Sequence, residues 1–260
     1  PEPTGPDDFQ QCVSQELTQR ALAPQACADE AAEWPCSVTQ SFVQIDVTKG
    51  LQNQHTDWVE RAESAFIGHH GSYEMWKDIC VELLMTGQSP RGLAGSVSSS
   101  INGESILSDY SIYIGSGGRV TGANAYQLWT NTYFKIDGDQ AAIGAAWPNT
   151  ACKNVVNSPS CADDAVNIVE GLASSGYNAD KRVQRAKVSG HELTHSYGEE
   201  DHQTHCKSSS KCNIMLKDFD ASKVKTYWNN WSRCEVYRHY QHNGDDYSGA
   251  PEGCPNWYEP

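Results

Sequence analysis

Three residues in one short stretch have types and a spacing that could do chemistry: His191, Glu192 and His195, in the pattern H-E-x-x-H. On a helix, residues four apart share one face a turn apart, so both imidazoles can aim a nitrogen at one point. Imidazole nitrogen suits zinc, and an i, i+4 pair offers two such ligands from one helix. Glu192 sits one step round the helix. From there a carboxylate can reach a metal-held water without ligating the metal, which is the place for a general base. With nine His in 260 residues, about 0.02 such patterns arise by chance. The bland alternative is an exposed helix carrying two unrelated His.

Gly198 comes three residues after His195, and glycine lets a helix stop in a left-handed turn. Such a turn swings the chain back towards the pair, where Asp201 or His202 could add a third ligand. Cys206, Cys212, Ile214 and Met215 follow. In this order the stretch resembles the metzincin clan of zinc endopeptidases, whose motif is H-E-x-x-H-x-x-G-x-x-H followed by a methionine-containing turn. Within the clan it is most similar to the reprolysin (adamalysin) group, in which a Cys, a short loop and a second Cys precede Ile-Met. The pattern departs at one place: Asp201 stands where the family has its third His, and His202 where reprolysins have Asp. The snapalysin group is similar in having Asp there, and a carboxylate oxygen is an acceptable zinc ligand.

The resemblance therefore implies Zn2+ held by His191, His195 and Asp201, with His202 as the alternative third ligand. It implies Glu192 as the base, Met215 as packing beneath the metal, and a protein or peptide as substrate. Ile143, Gly144, Ala146 and Cys152 are similar to a reprolysin I-G-x-A segment soon followed by Cys. That likeness implies that the backbone of Gly144, Ala145 and Ala146 pairs with an extended substrate at a sheet edge, by strand addition. An ordinary core strand is the other reading of these small residues. Residues 216–226 would shape the wall of the main specificity pocket.

The elements that must position these groups can be read in outline. A helix is expected from about Lys181 to Tyr197, because Val183, Ala186, Gly190, Leu193 and Tyr197 recur at three- and four-residue steps. This stripe anchors the helix while the His face beside it looks into a cleft, which gives a metal site rigid support. Phe42–Val47 alternates apolar and polar residues and predicts a strand. His55–Phe66 predicts a helix with Trp58, Ala62, Ala65 and Phe66 on one face. Trp76–Leu84 is apolar and fits helix or strand, and residues 86–105 a loop. Tyr110–Ile114 alternates like a strand, and residues 115–140 read as Gly-rich and polar connection. Ala141–Trp147 predicts a strand ended by Pro148, Asp164–Ala173 a short helix, and Trp228, Trp231, Cys234 and Tyr237 a C-terminal helix. His69-His70 and Asp137-Gly138-Asp139 are simpler as a solvated helix end and a turn than as further metal sites.

The expected fold class is α/β: a metzincin-like, twisted mixed sheet, mostly parallel, with the active-site helix, over about 37–198. A smaller, irregular, disulfide-bonded subdomain is expected over about 199–260, with the cleft between the two. A Cys-containing extension covers 1–36. Cys12, Cys27 and Cys36 would staple it to the body, Cys206 and Cys212 would pair, and Cys254 would tie back the tail.

Composition narrows the classes. A formal net charge of −14 argues against nucleic acid and anionic membrane surfaces as partners. No apolar run is long enough to span a bilayer. Ten Cys, an even number, suggest up to five disulfides, an oxidising compartment and hence a secreted protein, expected as a monomer. The opening Pro1-Glu2-Pro3-Thr4-Gly5-Pro6 reads as the start of a processed, mature chain. A second function class is a zinc-binding secreted protein without catalysis, motivated by the exchanged Asp201-His202 pair. A third is a gluzincin-type protease with a Glu ligand on a later helix, against which Gly198 and the Cys-Asn-Ile-Met turn argue.

Overall fold

Among the described residues, one central sheet with helices packed against it forms the hydrophobic core. The computed structural model describes residues 39–67, 72–86, 90–93, 102–131, 133–136, 140–148, 151, 165–171, 179–198, 214–215, 228 and 230–242. In chain order these form β1 (Thr39–Val47), α1 (Lys49–Gln54), α2 (Trp58–Ile67), α3 (Ser72–Lys77), β2 (Val81–Met85) and β3 (Arg91–Gly92). Next come α4 (Gly103–Tyr113), running into a π turn at Ile114–Gly118, and β4 (Ala125–Thr130), β5 (Phe134–Ile136), β6 (Gln140–Ala142) and β7 (Gly144–Ala146). β8 (Val166–Glu170), α5 (Ala179–Ser196) and α6 (Asn230–His242) complete the set. The sheet runs β2-β1-β4-β8-β7, with β3 also against β1, while β5 and β6 form a separate hairpin. Every pairing in the main sheet is parallel except that of β7 with β8, which is antiparallel. The expected α/β class with a mixed, mostly parallel sheet is thus the architecture of the described residues. Among them, no helix is long and apolar enough to cross a membrane.

The central strands explain where sequence patterning misleads. β4 and β8 are buried at every residue, as parallel strands covered on both faces must be. Yet Gln44, Asp46, Gln127 and Asn167 lie in the central strands fully buried. Burying such groups costs several kcal/mol unless each finds a partner, and each does. Gln127 Nε2 donates to Asn167 Oδ1 at 2.8 Å, and Ser189 Oγ of α5 donates to Gln127 Oε1 at 2.8 Å. Asp46 accepts from Gln44 Nε2 at 2.7 Å, Tyr110 OH of α4 at 2.8 Å and Arg91 Nε at 2.5 Å. Ile45 pairs with Gln127 and Asp46 with Leu128. Neighbouring residues alternate faces, so the Gln127 group lies on the α5 face and the Asp46 group on the α4 face.

Three expectations fail, each for its own reason. Tyr110–Ile114 is not a strand: it closes α4, whose first turn is capped by Asn102, with Oδ1 accepting from Glu104 N at 2.9 Å and Ser105 N at 3.3 Å. The cap and the buried Ile106, Leu107, Tyr110 and Ile114 set a helical period that outweighs five residues of alternation. Residues 115–140 are not mere connection, since they contain β4, whose polar residues are paired internally. The helix expected at Asp164–Ala173 is replaced, over its described residues 165–171, by β8, where β-branched Val166, Ile168 and Val169 have the higher propensity. The open case at Trp76–Leu84 resolves as both: the end of α3, a turn with Cys80 at φ 54, and β2. Cys80 and Cys234 are disulfide-bonded. The expectations for residues 1–36, His69-His70, Asp137–Asp139, Cys152, Cys161, Asp201, His202, Cys206, Cys212, 216–226 and Cys254 lie outside the described residues.

Candidate metal centre

α5 carries His191, Glu192 and His195, and its placement is over-determined. Ala186, Val188, Leu193 and Tyr197 of this helix and its end are buried. Beyond that stripe, Ser189 and Ser196 bond to Gln127 and Asn167 of the sheet; Asn167 Nδ2 donates to Ser196 Oγ at 3.2 Å. Arg185 and Glu170 form a buried ion pair further back along the helix. At the C-terminal end, Tyr197 OH and Ser41 Oγ of β1 are 2.6 Å apart. Trp76 meets Tyr197 edge-on at 5.3 Å and Trp228 at 4.8 Å between ring centroids. Trp228 Nε1 donates to Thr194 Oγ1 at 3.1 Å. Burial holds the Tyr197 phenol well above its ordinary pKa, so it remains a neutral hydrogen-bonding group. The turn that follows the helix contains Gly198, whose φ of 123 is the left-handed conformation that glycine adopts without steric cost.

Within this frame the two imidazoles converge. Their Nε2 atoms are 3.1 Å apart, and the rings meet nearly at right angles, 88°, with centroids 4.6 Å apart. His191 Nδ1 lies 2.7 Å from the main-chain carbonyl of Ile214. A carbonyl only accepts, so Nδ1 carries the proton and the neutral ring keeps its lone pair on Nε2. That lone pair faces the other imidazole nitrogen, a repulsive arrangement unless a proton or a cation lies between them. Two nitrogens bound to one tetrahedral zinc at about 2.0–2.1 Å stand about 3.3 Å apart, close to the spacing present. With Glu192 the three residues offer ligand atoms within 4.8 Å of one another. His191 and Glu192 are buried and His195 partly so, which keeps bulk water from screening the cluster. The donor chemistry and spacing fit a zinc ion. Met215, expected beneath the metal, is fully buried in the same turn as Ile214.

The edge strand lies beside this cluster. Gly144, Ala145 and Ala146 of β7 pair with Val169, Ile168 and Asn167. Glu170 N donates to Ile143 O at 2.9 Å and Trp147 N to Val166 O at 3.3 Å. Hydrogen-bonding direction alternates along an antiparallel strand. Residues 143, 145 and 147 therefore face β8, and the N–H and C=O groups of Gly144 and Ala146 face outward. Among the described residues no strand lies beyond β7. The register puts Gly144 and Ala146 on the α5 face of the sheet, and a Cβ added at Gly144 would meet the Glu192 side chain. Ala145 faces the other way, buried.

The structure thus brings together His191, Glu192, His195, Gly144 and Met215. It adds a participant that side-chain patterning does not show, the Ile214 carbonyl; a main-chain acceptor leaves no mark on residue type. The third-ligand candidates, Asp201 and His202, fall outside the described residues.

No family model matches the chain, and no curated protein matches it. Among solved structures, metalloproteinase-II from Bacteroides fragilis is similar with TM-score 0.50 and 13% identity, over 80% of this chain and 54% of that one. An archaemetzincin from Methanopyrus kandleri matches with TM-score 0.44 and 12% identity, over 76% of this chain and 95% of that one. The first likeness shows a shared fold. The chain spans about half the length of that metalloproteinase.

Proposed function

We propose that this chain is a secreted zinc-dependent endopeptidase that hydrolyses peptide bonds of protein or peptide substrates. The observation that carries this reading is the convergence of His191 Nε2 and His195 Nε2 at 3.1 Å, with the His191 tautomer fixed by Ile214, beside a carboxylate that abuts β7, the last strand of the sheet among the described residues. His191, His195 and Asp201 hold the zinc, with His202 as the competing third ligand. Bound zinc supplies Lewis-acid polarisation of the scissile carbonyl and a more acidic water. Glu192 accepts a proton from the attacking water on a carboxylate oxygen and passes it to the departing amine nitrogen. Gly144 and Ala146 offer outward N–H and C=O groups that align an extended peptide by main-chain bonds. Secretion rests on ten Cys, of which Cys80 and Cys234 are disulfide-bonded.

The test is zinc content together with peptide cleavage, with and without a chelator. The unaltered chain is expected to bind zinc and to lose cleavage on chelation. Glu192→Gln should keep the zinc and lose about 100-fold or more in rate. Asp201→Ala should weaken zinc binding far more than His202→Ala, and the reverse order would move the third ligand. A chain that binds zinc but cleaves nothing would instead be a non-catalytic zinc-binding protein, the reading that the exchanged Asp201-His202 pair favours.

A further inference from the structure

Gly144 does more than lend its backbone to the edge. A Cβ at this position would lie 2.6 Å from both Cγ and Cδ of Glu192, and closer still to Oε1. Non-bonded carbons rest at about 3.5–4.0 Å, so no side chain fits there with Glu192 as it stands. We propose that Gly144 is a positioning residue for Glu192: the missing side chain forms the seat in which the base lies against the face of β7.

The seat fixes direction as well as space. If only the carboxylate end were crowded, rotation about the last torsion would relieve it. Here Cγ is crowded too, and Cγ is one bond from Cβ. Moving it requires a new χ1, and a helix leaves a Glu only two common χ1 wells. A change of well turns the carboxylate away from the imidazole nitrogens that its oxygen now accompanies within 4.8 Å. The other escape, an outward shift of β7, weakens its ladder to β8. One residue therefore sets how far the base stands from a peptide paired to the strand. This inference rests on the reading of Glu192 as base and β7 as the peptide edge, but its steric core can be tested without either.

The test is a double-mutant cycle on the full chain, with melting temperature as the first readout. Gly144→Ala should lower Tm by on the order of 5 °C while Glu192 is present. In the Glu192→Ala background the obstruction is gone, and the same change should cost little or raise Tm. The gain in β propensity and in unfolded-state entropy is common to both backgrounds and cancels. Equal shifts in the two backgrounds would overturn the proposal. In the zinc-loaded chain, Gly144→Ala should lower kcat by about 100-fold with KM little changed, because the outward N–H and C=O groups persist. A raised KM at unchanged kcat would reduce Gly144 to a peptide-binding position and also overturn it. If the unaltered chain cleaves no peptide, the peptidase reading falls while the melting cycle still decides this one.

Discussion

Two buried polar clusters sit on opposite faces of the same sheet, and they are built to different rules. Around Asp46, donors and acceptors match: three donors reach the carboxylate, and Gln44 Oε1 accepts from Val120 N at 2.6 Å. The Gly118 carbonyl takes Gln44 Nε2 at 2.9 Å and also Arg91. Around His191 the one ring donor is committed to Ile214, and nitrogen faces nitrogen. The first cluster is closed and holds the fold. The second sets two ring nitrogens against each other, an arrangement that only a proton or a cation between them relieves.

This contrast can be broken or sharpened. The largest effect is expected at the open cluster. His195→Ala should lower zinc affinity by more than about 100-fold, measured by competition with a chromogenic chelator, while the metal-free chain melts no lower than before. A large loss of metal-free stability would show that the cluster is structural after all. At the closed cluster the pattern should invert. Arg91→Ala leaves the Asp46 carboxylate buried without its cation, and should cost about 2–3 kcal/mol in urea unfolding. The figure sits below that for a fully buried pair because the Arg91 side chain is 25% exposed. Zinc affinity should not move, and a parallel drop would couple the two faces.

Next in size is the cap on the helix that supplies Tyr110. Asn102→Ala should cost about 1 kcal/mol, and no change in unfolding free energy would mean that α4 is held by packing alone. The smallest effect concerns pH. Burial, reinforced by the negative charge of Asp46, holds the Tyr110 phenol well above its usual value of 10.0. A group whose folded pKa is raised contributes stability below its unfolded pKa and loses that contribution as pH climbs towards the folded value. Stability should therefore decline above about pH 10, by less than about 1 kcal/mol at pH 10.5 from this group. Tyr110→Phe should flatten that decline, and identical slopes in alkaline melts would exclude Tyr110 as its source.

The open cluster was far more legible in the sequence than the closed one, and the cause is distance along the chain. His191, Glu192, His195 and Gly198 are neighbours, so helix geometry alone puts them on one face and stops them at a turn. The edge strand was legible only in part: Ala141–Trp147 reads as one strand, yet the chain breaks at Ile143 into β6 of the hairpin and β7 of the main sheet, and the small residues fit a core strand as well as an edge. β4 and β8 were misread because Gln127 and Asn167 look like solvent-facing residues until the partners of Gln127, namely Asn167 and Ser189 at 40 and 62 positions away, are known. Asn102 and Glu104 were a readable start signal obscured by the strand-like run after them. The Gly144 contact with Glu192 joins a strand to a helix far along the chain, and nothing local announces it.

The Ile214 carbonyl has one more consequence, for the order of assembly. During synthesis the motif at His191–His195 is complete before residue 214 has been added. Until that later turn folds back beneath α5, the imidazole proton is free to occupy either ring nitrogen. The tautomer that turns a lone pair towards His195 is therefore a property of the folded chain and not of the motif alone, and it is set by a stretch that contributes a main-chain carbonyl rather than a side chain.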